Sequence, residues 1–193
     1  HPGWAANQQE GIPMQTVALD DLSDDELPKP DLLKMDIQGG EMDVFRHGRD
    51  KLNACTAIVV EVRFARIYED EPMWSDIDIE LRFQGFSLHK LLFAKSKPVA
   101  NSQRRKMTGA NMRNQMLDGD AVYIRDPLTV EDWTDEQVRQ LAVASAGVID
   151  SIDLAVFCID ELVRRGLADA AAPATFFDGL PKWMRNPGGA DTD

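Results

Sequence analysis

The sequence predicts an α/β fold built on a parallel sheet. Two apolar runs, Leu32 to Ile37 and Ala57 to Val62, are each followed by a helical pattern, and a third strand pattern, Phe86 to Leu92, comes next. Two strand–helix–strand units in succession imply parallel strands joined by right-handed crossovers. From residue 128 onward the pattern is helical, which adds a hairpin of two helices.

Residues 1–15 show no periodicity and read as a loop or a cut edge. Thr16-Val-Ala-Leu19 is a short strand candidate. Ser23 and Glu26 have capping-box spacing, but Pro28 and Pro30 allow at most one helical turn. The acids Asp20, Asp21, Asp24, Asp25 and Glu26 read as a solvated turn with helix-start character rather than a cation site.

Leu32 to Ile37 is apolar except for Lys34 and Asp36, as a strand buried on both faces tends to be. Gly39 and Gly40 make a turn, and Glu41 to Leu52 reads as a helix with Met42, Phe45 and Leu52 facing inward. Gly48 weakens its last turns. Glu41, in the first turn, suits the positive end of the helix dipole. Ala57 to Val62 is rich in β-branched residues and carries one charge, Glu61.

Ser75 is the expected cap of a helix from about Asp76 to Gln84, with Ile77 and Leu81 inward and Gly85 as the stop. Phe86 to Leu92 and Ala121 to Ile124 are strands joined by a long polar loop, Lys95 to Asp118. No helical pattern lies between them, which leaves an antiparallel pairing at one edge open. Thr134 and Gln137 form a capping-box pair before Val138, Leu141, Ser145 and Val148 at helical spacing, with a break near Gly147 and Asp150. Ile152, Ala155, Val156, Ile159, Leu162 and Val163 give a second amphipathic stripe, ended by Gly166. Its apolar side must bury against the sheet or against another subunit. After Pro173 the chain reads as a loop-like tail with Phe176, Phe177 and Trp183 as anchors. The division is thus 1–127 for the sheet domain, 128–168 for the hairpin and 169–193 for the tail.

Composition narrows the function. A net charge of −12 argues against a nucleic-acid backbone or an anionic membrane as partner, because both reward Lys and Arg. The basic cluster from Lys95 to Lys106 reads first as a solvated loop and second as local attraction for an anionic substrate. No apolar run approaches the ~20 residues that span a bilayer. Cys55 and Cys158 sit in apolar surroundings with no metal-ligand spacing, and His1, His47 and His89 are scattered. A reduced, cytoplasmic setting fits best. The chain begins at His1 rather than Met, so it was cut or an upstream part is missing.

No nucleophilic Ser elbow, phosphate loop or His pair at metal spacing is present. What remains is an acidic edge: Asp36, Gln38, Glu41 and Glu61. If the first two strong strands are neighbours, Asp36 and Glu61 end close together at the carboxyl edge, where open α/β sheets bind ligands. Carboxylates there could accept hydrogen bonds from substrate hydroxyls, bind a divalent ion, or act as a base. Glu41 and Glu61 read equally well as helix-terminus or ion-pair residues with no catalytic part.

The order Thr16-Val-Ala-Leu-Asp-Asp-Leu22, a short spacer, then Pro30-Asp-Leu-Leu-Lys-Met-Asp-Ile-Gln-Gly-Gly-Glu41 and a helix reaching Gly48 resembles the FkbM family of S-adenosylmethionine-dependent methyltransferases. Ile58-Val-Val-Glu-Val62, Tyr68 and Gly85-Phe86 follow in the family's order, so the resemblance runs over about residues 16 to 125. Gly40 departs from the small residue, often Ala, usual at its position.

The resemblance implies a class I methyltransferase fold, Rossmann-like and doubly wound, with an antiparallel last pair. It implies S-adenosylmethionine as cofactor and O-methylation of a hydroxyl on a sugar or natural product. Asp36 and Glu41 would be catalytic, Asp36 and Gln38 would face the cofactor, and Glu61 and Tyr68 would meet the acceptor, a small molecule or glycan.

Family members carry, upstream, a Gly-rich turn for the cofactor and an acid for its ribose, and residues 1–30 contain only Gly3 and Gly11 and no such unit. The chain therefore reads as a partial, carboxyl-terminal half. Its missing N-terminal half was cut off, is a separate chain, or was lost in a remnant that no longer binds cofactor. Two other readings stay open: a non-catalytic module that docks a partner, or a second copy as a homodimer, through its C-terminal helices; and a divalent-ion hydrolase using Asp36, Glu41 and Glu61.

Overall fold

The computed structural model describes residues 13–67, 70–109 and 112–185. A four-stranded sheet lies at its centre, in the order β1-β2-β4-β3. β1 is Leu32–Met35, β2 Ala57–Arg63, β3 Phe86–Lys97 and β4 Gln115–Arg125. β1 and β2 are parallel, with Leu32 beside Ala57 and Met35 beside Val60. β4 lies antiparallel between β2 and β3. The expected parallel first pair and antiparallel last pair are thus both present.

Alternation along the strands divides the core, since successive side chains point to opposite faces. Ile58, Val60, Val62, Ala121 and Tyr123 face one way, against Met42, Phe45, Leu52, Ile77 and Leu81. Those five come from α1 (Glu41–Arg46), α2 (Arg49–Leu52) and α3 (Trp74–Phe83). Ala57, Val59, Val122 and Ile124 face the other way, against Val138, Leu141, Ile149, Leu154 and Cys158. The first two of these lie on α4 (Asp135–Ala144) and the last two on α5 (Ile152–Arg164). The helical hairpin therefore buries its apolar side on the sheet. Among the described residues, no helix is long and apolar enough to cross a membrane.

Several local expectations are corrected. Thr16 to Leu19 forms no strand; Val17 is exposed and the chain turns into a 3-10 helix, Leu19–Asp21. The segment serves the next helices instead: Asp20 accepts from the backbone N–H of Asp50 (3.2 Å) and of Lys51 (3.0 Å). The single helix expected over Glu41 to Leu52 is two helices, interrupted at His47 and Gly48. A Cβ on Gly48 would lie 2.7 Å from the Val44 carbonyl oxygen and 2.9 Å from Leu19 Cδ1, so the break sits where only glycine admits Leu19.

α3 begins at Trp74, and Asp76 rather than Ser75 supports its start, accepting from the Met73 N–H at 2.8 Å. β3 and β4 extend well past the apolar runs, pairing Lys95 with Asp118 and Lys97 with Gln115. Both ends of the expected loop from Lys95 to Asp118 are therefore strand, as far as Lys97 and from Gln115 on. Ladder hydrogen bonds, not core burial, hold this arm together, and apolar periodicity does not report them.

Val148 is exposed while Ile149 is buried, because Ser145–Ile149 winds as a π-helix and shifts the register of the buried face. On α5 the deepest residues are Leu154, Ala155, Cys158 and Glu161, a line rotated from the expected stripe, and Ile152, Val156, Ile159, Leu162 and Val163 are only half-buried. Arg164 and Arg165 wrap around Glu161 at 2.6–2.7 Å and hold its carboxyl down to about 2, which allows a charge in that line. The tail forms a helix, α6 (Ala172–Gly179), because Pro173 falls in its first turn, where a missing N–H costs nothing. Phe176 is half-buried there, but Phe177 and Trp183 are exposed and anchor nothing. Cys55 and Cys158 are buried thiols, each pushed up to about 12 by that burial.

Candidate functional site

Parallel pairing of β1 with β2 puts both carboxyl ends on one side of the sheet. The chain leaves β1 at Asp36 and turns sharply: Gln38 has φ +59° and Gly39 φ +116°. A positive φ at a glutamine is uncommon and needs outside support. Glu41 supplies it. Its carboxylate accepts from the N–H of Ile37 at 3.0 Å and of Gly39 at 2.9 Å. The residue is 4% exposed, and these bonds tie its charge to the turn.

The turn aims the Gln38 amide across the sheet edge. Its nitrogen donates to Asp36 Oδ1 (2.6 Å) and to Glu61 Oε2 (2.8 Å), and its oxygen accepts from Arg63 at 2.8 Å. A flipped amide would set its NH2 against the guanidinium, so the network defines the orientation. Asp36 and Glu61, expected to meet if their strands were neighbours, are joined through Gln38. Glu41 belongs to the turn beside them. Tyr68 lies outside the described residues.

Sequence reasoning missed the cation at the centre. Arg63 is 8% exposed. Its guanidinium meets Glu61 at 2.9 Å, Asp118 at 3.4 Å and Glu71 at 3.5 Å. Glu71 also closes the following loop by accepting from the Ile67 N–H. Asp118 comes from β4, in register with Arg63, and pairs with Lys95 of β3 at 3.6 Å. One signal was available: Arg63 stands two residues after Glu61 and therefore on the same face of β2. Asp118 fell in a segment read as loop.

The electrostatics leave the edge acidic. Burial is the first cause that raises Glu61 above the ordinary glutamate range; Arg63 opposes it, and Asp36 and Asp118 add to it. Asp36 remains exposed. Above the network is a pocket of about 290 Å³, lined by Gln38, Glu61, Arg63, Lys95, Leu117 and Asp118 among others. Such a site can receive hydroxyl groups, hold them by carboxylate oxygens, and take up a proton. Among the described residues no group of three His, Cys, Asp or Glu could hold a metal ion.

Residues 2–88 match the family model described as the methyltransferase FkbM domain. That span stops short of the residue 125 to which the resemblance was read, and contains Asp36, Gln38, Glu41, Glu61 and Arg63. No curated protein and no solved structure matches the chain.

Proposed function

We propose that the protein is an S-adenosylmethionine-dependent methyltransferase acting on a hydroxyl of a sugar or natural product. The observation that carries this reading is the Asp36–Gln38–Glu61 cluster at the carboxyl edge of β1 and β2, inside the span matched to the methyltransferase FkbM domain. The sheet order, with an antiparallel β4 inserted beside β3, supports a doubly wound methyltransferase sheet.

The cofactor, when bound, supplies an electrophilic methyl group on a sulfonium. The residues present fit its reacting end, since the carboxylates of exposed Asp36 and of Glu61 beside it would suit a positively charged group. For the adenosyl part, the described residues upstream of β1 offer a 3-10 turn but no strand–turn–helix.

This chain's own contribution is positioning. Asp36 would accept a hydrogen bond from the substrate hydroxyl and take up its proton at the exposed carboxylate. Gln38 fixes the direction of Asp36. Glu61 receives a second hydroxyl, backed by Arg63. Glu41 acts as a positioning residue that holds the turn in its left-handed conformation. The two buried thiols support a cytoplasmic setting. The docking-module reading has less to stand on, because α4 and α5 spend much of their apolar side on the sheet.

Asp36→Asn removes the base and keeps the shape. Transfer of a labelled methyl group from S-adenosylmethionine to hydroxylated acceptors by the full-length gene product should fall about 100-fold to 10,000-fold in this variant. Transfer unchanged by Asp36→Asn would remove Asp36 from the mechanism.

A further inference from the structure

The groove next to the acidic edge has the opposite charge to the chain. Between Lys95 and Leu117 there are six basic residues and no acidic one, in a protein of net charge −12. The β3–β4 arm folds part of that charge over the loop that follows β2. Arg66 from that loop, Lys97 from the end of β3 and Arg104 from the arm line one groove of about 600 Å³. Its apolar walls include Ile67, Val99 and Leu117, and among the described residues no Asp or Glu lines it. It shares Ile67, Lys97 and Leu117 with the 290 Å³ pocket above Glu61.

A solvated basic loop would scatter its charges. Here Arg66 and Arg104, distant in sequence, line one concavity together with Lys97, and their shared sign favours an anion there. Guanidinium groups suit a phosphate, which accepts several hydrogen bonds at once. The apolar walls suit the carbon skeleton next to it. The volume lies within the ~300–1,000 Å³ common for small-molecule sites.

We infer that the groove binds a phosphate group carried by the acceptor, so that the substrate is a phosphorylated polyhydroxy compound whose hydroxyl reaches into the neighbouring acidic pocket. Placing it as acceptor rests on the methyl-transfer reading; the binding of a phosphate ester does not. Recognition is divided accordingly, with cations selecting the phosphate end and carboxylates receiving the hydroxyl end.

The test is titration calorimetry on the full-length gene product without S-adenosylmethionine. Glucose 1-phosphate, glucose and inorganic phosphate serve as probes, and the native protein is compared with an Arg66→Gln, Arg104→Gln double variant. Both side chains are exposed, so the variant should melt as the native protein does. Glucose 1-phosphate should bind at least about tenfold more tightly than glucose, and the double variant should lose about tenfold or more of that affinity. Added salt should weaken it further. Equal affinity for glucose and its phosphate, an unaffected double variant, or no binding of either phosphate probe would overturn the inference. Inorganic phosphate binding as tightly as the ester would reduce the groove to an anion site and overturn its assignment to the acceptor. Because the donor is absent from this titration, its outcome is separable from that of the methyl-transfer reading.

Discussion

Arg63→Met should destabilise the protein by about 3–5 kcal/mol at neutral pH, the cost of leaving buried charges without their counterion. The guanidinium is the shared partner of Glu61, Asp118 and Glu71, and it holds the Gln38 amide. Methionine fills similar space but removes the only cation that bonds Gln38 and Glu61 together among the described residues. Acid should partly repair the loss. Burial raises Glu61, so the folded state keeps its proton to higher pH than the unfolded chain does. The resulting stability is fully present below the ordinary glutamate value and is lost as pH rises through the raised one. Without Arg63 that rise grows. Denaturant unfolding at pH 7 and pH 5 should therefore show a deficit that shrinks at the lower pH. A deficit independent of pH would mean that Arg63 acts by packing alone.

Arg125→Met should cost a similar amount, about 3–5 kcal/mol, for a different reason: lost charge-assisted hydrogen bonds to buried carbonyls. The Arg125 guanidinium lies over the Phe86 ring at 4.1 Å. It donates to the carbonyls of Leu52 (2.8 Å), Asn53 (2.7 Å), Cys55 (2.8 Å) and Gln84 (2.8 Å). Those oxygens close α2, end α3 and lead into β2, so one side chain joins three elements at the end of the sheet opposite the site. A cation also suits the carboxyl ends of the two helices. Unfolding monitored by far-UV circular dichroism should show the loss with little change between pH 5 and 7, unlike Arg63→Met. A fully stable Arg125→Met protein would mean that water replaces the guanidinium at all four carbonyls.

The centre of the sheet was legible because β2 is buried on both faces. β2, with Ala57 to Val60 fully or nearly buried, produces an uninterrupted apolar run that no solvent-facing pattern can mimic. The polar ends of β3 and β4 were not legible, since Lys95, Ser96 and Gln115 owe their conformation to pairing rather than burial. The rotation of α5 was hidden for a related reason: Glu161 is buried only because two arginines close over it.

The candidate site divides in the same way. Asp36 and Glu61 stood out as charges in apolar runs. Their link through Gln38 depends on a left-handed backbone that Glu41 enforces, and no spacing rule reports that. The resemblance implied a catalytic part for Glu41; its bonds to two backbone N–H groups also give this acid a part in the shape of the turn. Arg63 was hidden by its position at the end of the β2 run, where a charge ordinarily marks the exit to solvent.

If the edge formed by Asp36, Gln38 and Glu61 faces a methyl donor, calorimetric titration of S-adenosylmethionine into the full-length gene product will register it. The native protein should bind the cofactor saturably. Asp36→Asn should weaken that binding about tenfold, the effect of removing roughly 1.4 kcal/mol of attraction between a carboxylate and a sulfonium. Absence of binding to the native protein, or equal affinity in both forms, would mean that this edge does not face a methyl donor.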